Sequence, residues 1–244
     1  MAKKATIHLV LYAIVILIIV FAVLNSGLFY YVKGSGKIET KQIEAKEFTQ
    51  IELDIPANLY ITQAQTYEVI IEAEDNVLPM IKTKFFGNTI RIYKSTYDIL
   101  RDTEPINIYV SAPEITSISV SSTGDIISQT PLTGDLLNIE ISGFGNVDMD
   151  VSVSQLNTFI SGAGDVKLTG AANKHNIKVS GYGEIDAAQL TTQDTTIFVS
   201  GSAKASVFAR EDLDVTVSGV ANIKYKGEPD INKQVSGYAT IKSL

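Results

Sequence analysis

The sequence predicts an all-β chain wound as a parallel β-helix, and three observations predict it. A six-residue phrase returns along the C-terminal half: Ser142-Gly-Phe-Gly-Asn-Val147, Ser161-Gly-Ala-Gly-Asp-Val166, Ser180-Gly-Tyr-Gly-Glu-Ile185, Ser200-Gly-Ser-Ala-Lys-Ala205, Ser218-Gly-Val-Ala-Asn-Ile223 and Ser236-Gly-Tyr-Ala-Thr-Ile241, after a degenerate copy at Ser121-Ser-Thr-Gly-Asp-Ile126. Successive serines stand 21, 19, 19, 20, 18 and 18 residues apart, a period of one solenoid coil per repeat. Within each repeat the apolar residues keep one parity: Ile139, Ile141, Gly143, Gly145, Val147, Met149 and Val151 alternate with Asn138, Glu140, Ser142, Asn146, Asp148 and Asp150.

The coils must run parallel. Four positions before each repeat serine the column reads Asn138, Asn157, Asn176, Thr196, Asp214 and Asn232. An antiparallel meander would reverse every second strand and scatter such a column. No helical pattern lies between the strands to make βαβ crossovers, which leaves the β-helix. Coils about 4.8 Å apart would let the Asn and Ser columns hydrogen-bond along the axis.

Composition sets the outer bounds. The chain has 244 residues, 45% of them hydrophobic, no cysteine and a formal charge of −7. Disulfides, thiolate metal sites and a lipid-modified cysteine are excluded. Without Lys3 and Lys4 the remainder carries 18 basic against 27 acidic residues, a net −9, which argues against nucleic acid or an anionic membrane surface as partner.

In chain order, residues 1–32 read as a cytoplasmic tail and membrane anchor. Residues 7–24 form an apolar run in which His8 and Tyr12 are the only polar side chains, long enough as a helix of about 27 Å to cross a bilayer. Lys3 and Lys4 ahead of it predict an N-terminus in the cytoplasm and a C-terminal domain outside, a single-pass arrangement with Phe29, Tyr30 and Tyr31 as an aromatic belt. Residues 33–46 begin with Lys33-Gly-Ser-Gly-Lys37 and read as a short flexible linker.

Residues 47–117 read as a β-rich cap. Strand-like runs at 48–55, 59–61, 68–72, 89–93 and 106–110 are punctuated by Pro56, Pro79, Gly87-Asn88, Pro105 and Pro113, and only 76–85 could hold a short helix. Such a segment would cover the raw end of the first coil. Residues 118–244 are the repeats themselves.

The repeats offer few chemical motifs. Gly143, Gly162, Gly181, Gly201, Gly219 and Gly237 form a column of structural corners, suited to positive φ or to tight packing. The second column, Gly124, Gly145, Gly164 and Gly183 followed by Ala203, Ala221 and Ala239, asks for smallness. A Gly-x-Gly loop can cradle phosphate, but no helix follows to lend its dipole. Asp125, Asn146, Asp165, Glu184 and Asn222 make an oxygen-rich column, but the period exceeds that of calcium-binding rolls and Lys204 interrupts it. Opposite charges in the column Asp148, Lys167, Asp186, Ser206, Lys224 and Lys242 predict pairing between coils. Asp148 and Asp150 could serve glycoside hydrolysis, although nothing else marks them. His175 lies in a polar connector and reads as solvated. With no second histidine beyond His8, triad and zinc sites find no support. The sequence therefore yields no catalytic set, no metal and no cofactor.

Surface aromatics are the remaining candidates. Phe144, Tyr182 and Tyr238 share the variable corner column, and Phe159 and Phe198 the column two before the serine. Exposed rings on a ladder suit sugar or protein contact.

From Phe48 to Leu244 the chain resembles the bacterial head-GIN domain family, described as auto-transporter adhesins. The residues that carry the resemblance are Phe48-x-x-Ile51 with Leu59-Tyr-Ile61, Ala73-Glu-Asp-Asn76, the Ser-Gly-x-Gly-Asp-Val phrase and Tyr225-x-Gly-x-Pro229. The resemblance implies a right-handed β-helix shaped like pectin lyases without their catalytic residues, and a role in adhesion at the bacterial envelope. It brings no established binding residues.

The expectation is a non-enzymatic, membrane-anchored, extracytoplasmic module for adhesion or envelope interaction, with an envelope glycan or protein as partner. Two alternatives stand beside it: a polysaccharide lyase or hydrolase of pectin-lyase-like shape, and a structural component that forms homo-oligomers through its C-terminal coil.

Overall fold

The computed structural model describes residues 15–16, 31–95 and 98–244. The expected membrane helix over residues 7–24 lies outside them except for Val15 and Ile16, which are helical. Among the described residues no helix is long and apolar enough to cross a membrane. Phe29 and Tyr30 of the expected belt also lie outside. Tyr31 lies on a short strand, Tyr31–Lys33, paired in parallel with Ile99–Arg101, and the Arg101 guanidinium lies 5.5 Å from its ring centroid.

The rest is one 17-stranded sheet coiled on itself, a β-solenoid of about seven turns. Its register is the one the repeats dictate. Phe144 pairs in parallel with Ala163, Ala163 with Tyr182, Tyr182 with Ser202, Ser202 with Val220 and Val220 with Tyr238. Gly145, Val147, Met149, Val151 and Val153 are buried, while Asn146, Asp148, Asp150 and Ser152 face solvent. The phase slips once, where Ser154 and Gln155 both point out, and Leu156, Thr158 and Ile160 resume the buried set. Each fully buried Val, Leu or Ile side chain contributes about 1.5–3 kcal/mol, and the repeat places several in every coil.

The Ser-Gly corner follows from backbone geometry. Ser161 and Gly162 both donate their N–H to Ile141 O, at 2.9 and 3.2 Å, and Ala163 donates to Gly143 O at 2.9 Å. That close stacking leaves no space for a side chain. A Cβ at any of the six corner glycines, Gly143 to Gly237, would lie 1.9–2.1 Å from a carbonyl oxygen of the coil before. None of the six has positive φ, so packing and not left-handed backbone demands glycine there. In the second column a Cβ on Gly145 would meet Ile126 Cδ1 at 3.4 Å, an ordinary contact, and Ala203 and Ala221 are buried at the equivalent positions.

The asparagine column forms the expected ladder. Asn157 Nδ2 donates to Asn138 Oδ1 and Asn176 Nδ2 to Asn157 Oδ1, both at 2.8 Å.

Residues 47–117 do more than cap. Gln50–Asp54 pairs in parallel with Ser117–Val120 on one side and with Thr89–Lys94 on the other; Asn58–Gln63 likewise lies between Thr123–Ser128 and Asn107–Ala112. The segment therefore forms two coils, and the one made first along the chain is second along the axis. The end of the stack is closed by antiparallel strands. Glu68–Glu74 pairs with Asn107–Ala112, Ile38–Ile43 with Glu68–Glu74, and Ile81–Phe86 with Thr89–Lys94 across the Gly87-Asn88 turn, where Gly87 has φ +54°. The short helix expected within 76–85 is a single 3-10 turn, Leu78–Met80.

The stretch read as a flexible linker is tied down. Besides the strand Ile38–Ile43, the Gly34-Ser35-Gly36 strap lies against Glu74, Asp75 and Asn76. Gly36 N–H donates to Glu74 Oε1 at 2.7 Å, Ser35 Oγ to Asp75 Oδ1 at 2.6 Å, and Asn76 Nδ2 to Lys33 O at 2.8 Å. Glycine residues here permit close approach and, at Gly36, φ +78°. They supply shape where composition alone reads as flexibility.

Candidate functional site

Each repeat strand that follows the Ser-Gly corner places three residues outward, two apart, and parallel stacking aligns them in three columns on one face. The column beside the corner holds Phe144, Ala163, Tyr182, Ser202, Val220 and Tyr238. Phe144, Tyr182 and Tyr238 are 68%, 53% and 71% exposed, unusual for rings of this size.

The second column runs Asp125, Asn146, Asp165, Glu184, Lys204 and Asn222. Asn146 Nδ2 donates to Asp125 Oδ1 at 2.9 Å, and Lys204 Nζ lies 3.0 Å from Glu184 Oε1. The third runs Ile127, Asp148, Lys167, Asp186, Ser206, Lys224 and Lys242, with Lys167 Nζ 2.9 Å from Asp148 Oδ2. The Asp148 carboxylate raises the Lys167 ammonium pKa through its hydrogen bond and charge, and Glu184 does the same for Lys204. Both pairs are exposed and worth little each. Between the second and third columns lies a shallow trough of about 480 Å³ floored by Val147 and Val166.

Phe159 and Phe198 fall on the other side of the corner, in the column Glu140, Phe159, Lys178, Phe198, Thr216 and Gln234. The structure thus separates the five aromatic candidates into two sets. Lys178 lies between the two phenylalanines in its column, its Nζ 5.9 Å from the Phe198 ring centroid.

His175 corrects the sequence reading. It is 1% exposed, inside the solenoid, and its Nε2 shares a 3.0 Å hydrogen bond with Thr158 Oγ1. Burial pushes its pKa down to about 3. The neutral ring belongs to the core column Leu137, Leu156, His175, Thr195 and Leu213. That column signals burial to anyone who carries the register past the polar connector. Sequence reasoning also missed the division of charge along the exposed face, with carboxylates concentrated in the early coils and Lys204, Lys224 and Lys242 in the late ones; reading the second and third columns together exposes it.

Among the described residues no three His, Cys, Asp or Glu side chains gather as a metal site. Asp148, one of the two carboxylates considered for hydrolysis, is engaged by Lys167. Fold and surface together define a β-solenoid that presents ordered side-chain columns.

The chain belongs to the head GIN domain family, whose description is "Putative auto-transporter adhesin, head GIN domain", matched over residues 47–229. A Bacteroides fragilis protein described as a "putative adhesin" is 31% identical, with 87% of this chain and 100% of that chain covered, and a TM-score of 0.84. A Parabacteroides merdae "putative adhesin" (22% identical, 88% and 99% covered, TM-score 0.62) and a Parabacteroides distasonis "putative lipid binding protein" (20%, 88% and 99%, 0.65) share the fold. No curated protein matches the chain.

Proposed function

We propose that the chain is a non-enzymatic recognition module for adhesion or envelope interaction, held at the membrane by residues 7–24 with the N-terminus in the cytoplasm and a right-handed solenoid outside. One observation carries this reading: Phe144, Tyr182 and Tyr238 stand exposed in a single register column on a rigid face, beside columns of hydrogen-bonding and charged groups. Rings held by a sheet lose little freedom on contact, which suits them as anchors. The family description and the Bacteroides fragilis relative support an adhesive role. The handedness follows the general preference of parallel strand connections. The lyase or hydrolase alternative has no support in the columns, where the carboxylates are spread along the axis.

The test is binding of the full chain to envelope glycan and protein fractions beside Phe144→Ala/Tyr182→Ala. Binding weakened at least tenfold in the double variant is expected. Equal binding by both proteins would move recognition away from this face.

A further inference from the structure

Resting on that reading of the face, we propose that its partner is a second copy of the same chain, packed face to face with the two solenoid axes antiparallel. The charge distribution points there first. Going along the axis, the second and third columns carry Asp125, Asp148, Asp165, Glu184 and Asp186 against the single Lys167, then Lys204, Lys224 and Lys242 with no carboxylate. Asp148–Lys167 and Glu184–Lys204 pair within the chain. Among the described residues Asp165 and Asp186 at one end, and Lys224 and Lys242 at the other, make no ion pair.

A two-fold axis along the strands, between the coils of Tyr182 and Ser202, keeps each column on itself and reverses the coil order. It sets Asp148 against Lys242 of the second copy and Glu184 against its Lys204. In the corner column it sets large against small: Tyr182 meets Ser202, Ala163 meets Val220, and the two most exposed rings, Phe144 and Tyr238, meet each other. Lys167 faces Lys224, a like-charge contact, but Lys167 lies between Asp148 and Asp186 in its own column. A two-fold along the solenoid axis, centred on the second column, would instead set Asp125, Asp165, Glu184 and Lys204 each against its own copy. The antiparallel arrangement lays the acidic coils on the basic ones and is self-complementary, as an isologous interface must be.

The area is sufficient. Six facing coils at about 4.8 Å and five residues at about 3.3 Å give a face of about 29 by 17 Å, hence about 1,000 Å² counted on both partners, the lower bound for a specific interface. Self-association of that size is reversible and dependent on salt. An antiparallel pair also directs the two N-terminal ends away from each other, as copies from two facing surfaces require.

The test is self-association of the full chain in detergent, by sedimentation velocity across concentration and salt. Expected are a dimer that weakens at least tenfold between about 0.1 M and about 1 M salt, its loss in Asp148→Lys/Glu184→Lys and in Lys204→Glu/Lys242→Glu, and its recovery when those two variants are mixed. Because the chain has no cysteine, Phe144→Cys and Tyr238→Cys on separately tagged chains should cross-link to each other and neither to itself. Dimers that survive both charge reversals, or cross-links between two Phe144→Cys chains, would overturn the proposal. A chain that stays monomeric yet binds an envelope glycan through Phe144 and Tyr182 would overturn the second-copy partner and keep the recognition reading. Dimerisation through this face with no envelope ligand would support the second copy alone.

Discussion

Thr158 Oγ1 and His175 Nε2 lie 3.0 Å apart inside the solenoid, a polar contact in inward columns that elsewhere hold mainly Leu, Ile and Val. Among the described residues His175 Nδ1 has no hydrogen-bond partner, and Thr195, next in the column, is buried and bonded to Thr192 at 2.7 Å. The ring is tolerated because it is neutral. Burial lowers its pKa from 6.5 to about 3, so below pH 6.5 the unfolded chain takes up a proton that the folded chain refuses.

Stability therefore falls with pH in a defined window. The histidine contribution is intact above pH 6.5 and is lost as pH drops toward 3, by about 4–5 kcal/mol at about 1.4 kcal/mol per pH unit. His175→Leu/Thr158→Ile restores the residues found at Leu156 and Leu213 and at Ile139 and Ile177 in the same columns. Denaturant unfolding at pH 7 and pH 4 should show a smaller acid loss in the double variant than in wild type. Equal losses would place His175 in contact with solvent.

The corner glycines and the second glycine column should respond differently to alanine. A Cβ on Gly181 would sit 1.9 Å from Gly162 O, which only a shift of the backbone can relieve, so Gly181→Ala is expected to cost about 3 kcal/mol or more. Gly145→Ala meets only the tip of Ile126 at 3.4 Å and should change stability by less than about 1 kcal/mol. Thermal melts of the two variants provide the comparison; similar shifts would contradict the packing account.

Glu74 fixes the strap over the solenoid's capped end. Its buried carboxylate accepts Gly36 N–H at 2.7 Å and Glu104 N–H at 3.2 Å. Glu74→Ala removes two hydrogen bonds to a charged acceptor, an expected loss of about 2–3 kcal/mol. The loss should be local, with faster hydrogen exchange and proteolysis around 34–43 and unchanged protection in the repeats. Uniform loosening of the whole chain would mean that the strap and the coils unfold as one unit.

The repeats were legible because each coil meets nearly the same neighbours: a parity of two, a period of 18–21 and identical residues in register decide the architecture between them. The cap was legible only as strands. Its order, with Gln50–Asp54 inserted between Thr89–Lys94 and Ser117–Val120, depends on pairings 39 and 67 residues apart that no local pattern encodes. Lys33-Gly-Ser-Gly-Lys37 misled for a related reason, since its partner Ala73-Glu-Asp-Asn76 lies about 40 residues away. The aromatic columns were legible as positions, but their division between two faces required the corner to be seen.

Lys233 governs what the last described coil can do. It pairs in register with Val215, in the inward column that holds Ile139, Ile177 and Ile197 further up. Beside it Ile231 and Val235 are 40% and 44% exposed, and the backbone edge of this coil has no strand beyond it among the described residues. A charge in an inward position deters another sheet edge from adding to the stack, because pairing would bury the ammonium without a partner. Lys233→Val should convert this end into a sticky surface and produce the homo-oligomers through the C-terminal coil that an open edge permits. Light scattering in the Asp148→Lys/Glu184→Lys background, where the exposed face is disabled, isolates that route. Growth beyond the monomer in Lys233→Val alone is the expected outcome; no growth in either protein would mean that the edge is protected by something other than this charge.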